Sequence, residues 1–287
     1  MTDNELILQD RLQKIREVVG KYGEENFYIS FSGGKDSTVT LNLIDMALPN
    51  NRIPRVYCNT GIEWNIVRDF VLDMAKEDDR VIVVQPTVPI KPTLEKEGYP
   101  FKSKGHSETV YRFQHSGKTP SVQQYLGERE DKEPWSAFKS CPKSLKYQFT
   151  EDFTLKVSDK CCLRIKEEPL RKWQKENNKP YTILGIMGDE GGRRHGAKCL
   201  VHKGTKALNF QPLAPVTREW EEWFIKTYHI KICGIYAPPI TSTEQDAKDV
   251  RSILNYREIW TQCKSFFQMS VNNASLFGSL CTMNTGA

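Results

Sequence analysis

The residues best placed to do chemistry lie between the apolar run Phe27-Tyr28-Ile29 and the apolar-periodic segment Val39, Leu41, Leu43 and Ile44: the stretch Ser30-Phe31-Ser32-Gly33-Gly34-Lys35-Asp36-Ser37-Thr38. Read physically, this is a strand, a glycine turn and a helix start. Two adjacent glycines let backbone N–H groups approach an anion closely, a helix N-terminus adds its dipole, and Lys35 adds a full positive charge. The chemistry that suits such a turn is phosphate binding. Its spacing is neither GxxxxGK[ST] nor GxGxxG, so neither of those nucleotide signatures transfers, and an ordinary strand-to-helix turn is the competing reading.

The elements that must position this turn follow from periodicity. Residues 4–22 carry Leu6, Ile7, Leu12, Ile15, Val18 and Val19 on a helical stripe that ends near Gly20 and Gly23, and this helix is expected against the sheet edge. Arg55-Val56-Tyr57-Cys58 reads as a short buried strand that empties into Asn59-Thr60-Gly61-Ile62-Glu63, and Val81-Ile82-Val83-Val84 as a third strand after a helix through Ile66, Val67, Phe70, Val71 and Met74. This alternation predicts an α/β fold with a doubly wound parallel sheet, whose ligand lies at the carboxyl ends of the strands. Both polar turns lie at such ends.

Residues 86–140 read as an irregular insertion, rich in Pro, Gly, Lys and His, of the kind that forms a lid. His106, His115 and His195 share no metal-type spacing and are expected to be solvated loop residues. Order resumes with helices at about 142–149 and 162–177, the second beginning near Cys161-Cys162, and with a strand at 181–187. That strand leaves through Gly188-Asp189-Glu190-Gly191-Gly192-Arg193-Arg194, another ligand-loop composition.

Composition narrows the class. A chain of 287 residues with 38% apolar content can bury a sizeable core. No run of about 18 apolar residues occurs and the N-terminus is acidic, so a cytoplasmic protein without membrane contact is expected. A net charge of +5 suits a phosphorylated small molecule and a nucleic-acid contact equally. Eight cysteines without an export signal point to thiols, metal ligation or redox chemistry.

Residues 32–37 resemble the SGGxDS pyrophosphate loop of the adenine nucleotide alpha-hydrolase-like superfamily, which includes the N-type ATP pyrophosphatases and the PAPS reductases. The resemblance extends over about residues 25–238. It implies a Rossmann-like domain over residues 1–238 in which Ser32, Gly33, Gly34, Lys35, Asp36 and Ser37 grip a nucleotide's phosphates, with Asp36 taking Mg²⁺ or fixing the loop. Asn59-Thr60-Gly61 is similar to the family's Asp-Thr-Gly turn, which lies against the nucleotide, so Thr60, Gly61 and Glu63 join the expected site. Cys161-Cys162 followed by Lys166-Glu167-Glu168-Pro169-Leu170 resembles the stretch of assimilatory APS reductases whose paired cysteines, with a later CxxC, bind a [4Fe–4S] cluster. Arg193 and Arg194 resemble the family's later arginine, which implies a bidentate hold on phosphate or sulfate. Asn209-Phe210-Gln211-Pro212-Leu213 and the Trp-containing helix after Thr217 are also similar to family segments, with Thr217 a helix N-cap.

Two departures bear on the substrate. Met187 and Gly188 stand where sulfonucleotide reductases carry arginine, and the C-terminal Glu-Cys-Gly-x-His that supplies their nucleophile is absent; Cys281 has a different context. The resemblance therefore implies a small-molecule nucleotide, ATP bound with Mg²⁺, adenylation of an acceptor oxygen and sulfur transfer from a donor, with DNA or tRNA as the acceptor. The alternatives are a reductase acting on APS or PAPS with a thioredoxin-like reductant, and a nucleotide-binding module without catalysis in a phage or defence setting.

From about residue 239 the chain departs from its relatives, which continue into Gly-Cys-x-x-Cys-Pro. Residues 245–251 can be encoded so that the neighbouring reading frame spells Gly-Cys-Lys-Gly-Cys-Pro. Residues 239–287 are accordingly expected to be a frameshifted translation of the cluster-binding segment, which leaves Cys161 and Cys162 as half of a metal site.

Overall fold

A computed structural model describes residues 1–129, 140–188, 196–203 and 207–236. The chain divides into two units, Met1–Tyr236 and Ala237–Ala287, and every described residue belongs to the first. The expected frameshifted tail, His195, Arg193 and Arg194 all lie outside the described residues.

The predicted alternation is present as β1 (Phe27–Phe31), α2 (Lys35–Ala47), β2 (Arg55–Cys58), α3 (Asn65–Glu77) and β3 (Val81–Val84), preceded by α1 (Asp3–Tyr22). Later come β4 (Tyr181–Leu184), β5 (Leu200–Lys203) and β6 (Ala207–Phe210). The six strands order as β3-β2-β1-β4-β6-β5, parallel except for β5, which runs antiparallel to β6. Phe27, Ile29, Val56 and Tyr57 are all buried, as strands of a sheet covered on both faces require. From central β1 the chain winds outward to β2 and β3, then returns to lay β4 on the other side of β1. Strand order therefore reverses between β1 and β4, and in open α/β sheets it is outside the carboxyl ends at such a reversal that ligands bind. Residues 32–37 leave β1 at that point.

Thr2 and Glu5 close a capping box on α1, and the buried stripe of Leu8, Leu12, Ile15, Val18 and Val19 packs along α2, while Arg11 reaches the Cys199 thiol beside the edge strand β5. At the start of α1 the Asn4 carbonyl accepts a 3.0 Å hydrogen bond from Trp220 Nε1 on α8 (Arg218–Thr227). Thr217 caps α8 as predicted, its hydroxyl accepting from the Trp220 N–H at 3.3 Å.

The stretch expected to be irregular is largely helical: α4 (Ile90–Glu97), α5 (Lys104–Ser116) and α6 (Pro120–Leu126). The second and third of these helices close over a second apolar cluster of Val110, Val122, Tyr125, Leu126, Cys141, Phe149 and Val157. His106 is no solvated loop residue but lies buried on α5, where Nδ1 is 2.8 Å from Tyr125 Oη and Nε2 is 2.8 Å from Gln148 Oε1. Burial lowers its pKa, against an opposing hydrogen bond to the Gln148 amide oxygen, so the ring is a neutral pin between α5, α6 and the 3-10 helix Lys143–Phe149. His115 lies exposed on the same helix. The helix predicted from Cys161-Cys162 is present, with one wide π turn at Leu163–Glu167 leading into α7 (Glu168–Glu176).

Candidate functional site

The glycine turn is built from the backbone outward. Gly33 adopts φ +72°, and a β-carbon there would lie 2.7 Å from Val71 Cγ2 and 2.8 Å from Val67 Cγ1 on α3, so backbone conformation and packing both demand glycine. Gly34 is the N-cap of α2, with Lys35 and Asp36 its first two helical residues. The N–H groups of that first turn have no acceptor within the helix and carry the positive end of its dipole. Two hydroxyls tie the turn back on itself: Ser37 Oγ donates to the Gly34 carbonyl at 2.9 Å, Gly34 N–H donates to Ser32 Oγ at 3.3 Å, and the two Oγ atoms are 3.0 Å apart. Six predicted residues therefore meet in one turn whose amides, hydroxyls and lysine suit an oxyanion.

The two charged side chains of the turn are held by a helix some 180 residues away in the chain. Lys35 Nζ lies 2.8 Å from Glu221 Oε2, and Arg218 Nη1 lies 2.8 Å from Asp36 Oδ1 and 3.2 Å from Glu221 Oε2. Glu221 is fully buried, and its Oε1 has no hydrogen-bond partner among the described residues. Burial raises the pKa of Glu221, the Lys35 ammonium pulls it back down, and the Asp36 charge raises it again. Tyr236 approaches from a third direction: its hydroxyl lies 3.4 Å from where a Gly34 β-carbon would stand, and burial followed by the Asp36 charge raises its pKa. Sequence reasoning missed Glu221, Arg218 and Tyr236 as functional candidates. The charged first turn after Thr217 was the available signal for the first two, and nothing local marks Tyr236.

The second predicted turn sits at the carboxyl end of β2, adjacent to β1. Thr60 Oγ1 donates to Glu63 Oε1 at 2.6 Å and Thr60 N–H to Glu63 Oε2 at 3.1 Å, so both oxygens of Glu63 are engaged in shaping the turn. Asn59 Oδ1 accepts from the Gly61 N–H at 3.3 Å, the same acceptor role an aspartate would fill.

The paired cysteines belong to the same end of the sheet. Cys58, the last residue of β2, donates its thiol to the Ile165 carbonyl in the π turn that follows Cys161-Cys162, at 3.3 Å. Cys161 is half-buried and Cys162 exposed, and burial raises the Cys161 pKa. No group of three or more His, Cys, Asp or Glu side chains among the described residues could hold a metal. These two cysteines, alone among the described residues, do not make a four-thiolate cluster site.

At the departures from the reductase pattern, the structure has no room for arginine. Met187 is fully buried in the main core. At Gly188 a β-carbon would lie 2.5 Å from the Ala214 carbonyl oxygen, which accepts the Gly188 N–H at 3.0 Å. Among the described residues, no helix is long and apolar enough to cross a membrane.

Residues 26–136 match the phosphoadenosine phosphosulfate reductase domain. Over 104 residues the chain is 35% identical to an uncharacterised protein of Methanocaldococcus jannaschii, the alignment taking in 33% of this chain and 25% of that protein. The chain thus spans about a quarter of the length of the curated relative it matches. Among solved structures, the PAPS reductase of Candida auris in its phosphate complex is similar with a TM-score of 0.47 at 13% identity, over 78% of this chain and 81% of that one. The U34-tRNA thiolase NcsA of Methanococcus maripaludis with its [4Fe-4S] cluster is similar with a TM-score of 0.39 at 14% identity, over 96% and 84%.

Proposed function

With a phosphoadenosine phosphosulfate reductase domain across residues 26–136 as premise, we propose that the protein binds ATP through residues 32–37 and adenylates an acceptor ahead of sulfur transfer. The observation that carries this reading is the complete turn: amides at the start of α2, the Ser32 and Ser37 hydroxyls and Lys35, all at the carboxyl end of β1. A reaction that releases pyrophosphate needs such a grip, because the β- and γ-phosphates must be held while the α-phosphorus is attacked. The acceptor oxygen forms a bond to the α-phosphorus, the bond to the bridging oxygen breaks, and pyrophosphate leaves. A sulfur nucleophile then displaces AMP from the activated acceptor.

In this scheme the Gly33 and Gly34 backbone, Lys35 and the two serines bind the leaving pyrophosphate, while Thr60, Gly61 and the Glu63-shaped turn at the end of β2 flank the nucleotide. Arg193 and Arg194 are proposed as a further phosphate grip. Asp36, paired with Arg218, would hold a Mg²⁺ ion; one carboxylate suits a cation that takes the rest of its shell from phosphates and waters. When bound, that ion would neutralise charge on the β- and γ-phosphates. The buried Met187 and the crowded Gly188 weigh against a sulfate subsite at those two positions and hence against APS or PAPS as substrate. Residues 239–287 are proposed as a frameshifted translation of the cluster-binding segment.

The test is product analysis with ATP, APS and PAPS in parallel. Pyrophosphate release from ATP is expected, with Lys35→Ala and Asp36→Ala each lowering turnover by at least about tenfold. Sulfite release from APS or PAPS without pyrophosphate from ATP contradicts the proposal.

A further inference from the structure

Glu221 needs explanation. A carboxylate without exposure, with one oxygen lacking any hydrogen-bond partner among the described residues, is costly to keep. Its other oxygen holds Lys35 Nζ at 2.8 Å and Arg218 Nη1 at 3.2 Å, and Arg218 reaches on to Asp36 at 2.8 Å. One turn of α8 therefore contacts both charged residues of the phosphate-binding turn, through a chain of alternating sign from Lys35 to Glu221 to Arg218 to Asp36.

We propose that Glu221 is a positioning residue for nucleotide binding, fixing the Lys35 ammonium at the edge of the turn while Arg218 fixes Asp36. This rests on the ATP reading of residues 32–37. An ammonium has three donors, and the Glu221 contact uses one; Lys35 keeps a fifth of its side chain exposed, so the remaining donors can meet a phosphate without leaving Glu221. The opposite arrangement, in which Lys35 abandons Glu221 for the ligand, strips a donor from a fully buried carboxylate, and that costs more than one charge-assisted hydrogen bond returns. The anchored lysine also binds without first losing the rotamer freedom of a four-carbon stem. Asp36 and Tyr236 lie close by, but only Lys35 and Arg218 give Glu221 a counter-charge among the described residues.

The experiment is a double-mutant cycle on ATP affinity, measured by titration calorimetry with the full chain: wild type, Glu221→Gln, Lys35→Ala and the double variant. If Glu221 acts through Lys35, Glu221→Gln weakens binding about tenfold, and the double variant binds no more weakly than Lys35→Ala alone. Losses that multiply in the double variant overturn the inference, because they mark Glu221 as a structural residue independent of the lysine. Wild-type affinity in Glu221→Gln overturns it as well. Should Glu221→Gln fail to fold, Glu221→Asp carries the same cycle, its shorter carboxylate predicting a smaller loss that again vanishes in the Lys35→Ala background. Failure of wild type to bind ATP overturns the nucleotide reading itself and this inference with it, a result distinct from binding that ignores Glu221.

Discussion

Replacing Gly33 with alanine tests whether the shape of the turn comes from its packing against α3. Two costs add. The residue sits at φ +72°, where a β-carbon costs about 1–2 kcal/mol through its clash with the backbone. The new carbon also lies 2.7 Å from Val71 Cγ2 and 2.8 Å from Val67 Cγ1, well inside the roughly 3.5–4.0 Å at which carbons pack comfortably. Val71 is fully buried and Val67 nearly so, which leaves α3 little room to retreat, and overpacking of this kind costs about 1–3 kcal/mol. The expected loss for Gly33→Ala is the sum, about 2–5 kcal/mol in urea unfolding. Gly61 is a matched control: its φ is +80°, but a β-carbon there meets nothing within 4 Å, so Gly61→Ala should lose only about 1–2 kcal/mol. Equal losses in the two variants refute the reasoning, because they show that α3 yields to the extra carbon.

Three further outcomes follow from buried charges. Lys35→Ala leaves Glu221 buried with Arg218 as its remaining cation, and since Lys35 is partly exposed the stability loss should be about 1–3 kcal/mol. With the Glu221 pKa raised further in that variant, the folded state holds a proton that the unfolded state releases, so its stability should fall relative to wild type as pH rises above the ordinary glutamate range; a pH-independent difference in unfolding midpoint contradicts this. His106 has the opposite sign. Its pKa is lowered, so the unfolded chain takes up the proton first and stability should drop as pH falls below about 6.5, a slope that His106→Phe should remove in acid-unfolding curves. At the other end of the sheet, fully buried Arg55 pairs with Asp45 and, at 3.1 Å, with Asp78; Asp45→Ala should cost about 1–3 kcal/mol in urea unfolding, discounted because Asp45 itself is part-exposed.

What could be read from the sequence is what local chemistry encodes. The adjacent glycines, the apolar runs on either side of them and the Lys-Asp-Ser start of α2 mark a strand, a phosphate-type turn and a helix without any distant contact, and β2, β3 and the Thr217 cap are equally local. Residues 86–129 were less legible, because α4 and α6 are only 8 and 7 residues long and carry few apolar positions. Their boundaries were nonetheless written in capping chemistry: Ser103 accepts from the His106 N–H, Pro120 opens α6, and Gly98, Gly117 and Gly127 close the three helices. Glu221 and His106 were not legible as partners. Each gains its meaning from a residue far along the chain, Lys35 in one case and Gln148 in the other, and no spacing rule joins such pairs.

The grip of residues 32–37 on the pyrophosphate of ATP is the core of the proposed function. It is tested most directly by calorimetric titration of the full chain with ATP, APS and PAPS under identical conditions, each repeated with Lys35→Ala. ATP is expected to bind most tightly, and Lys35→Ala to weaken its binding by at least about tenfold. Tighter binding of APS or PAPS than of ATP, or ATP binding that ignores Lys35, contradicts the proposed function.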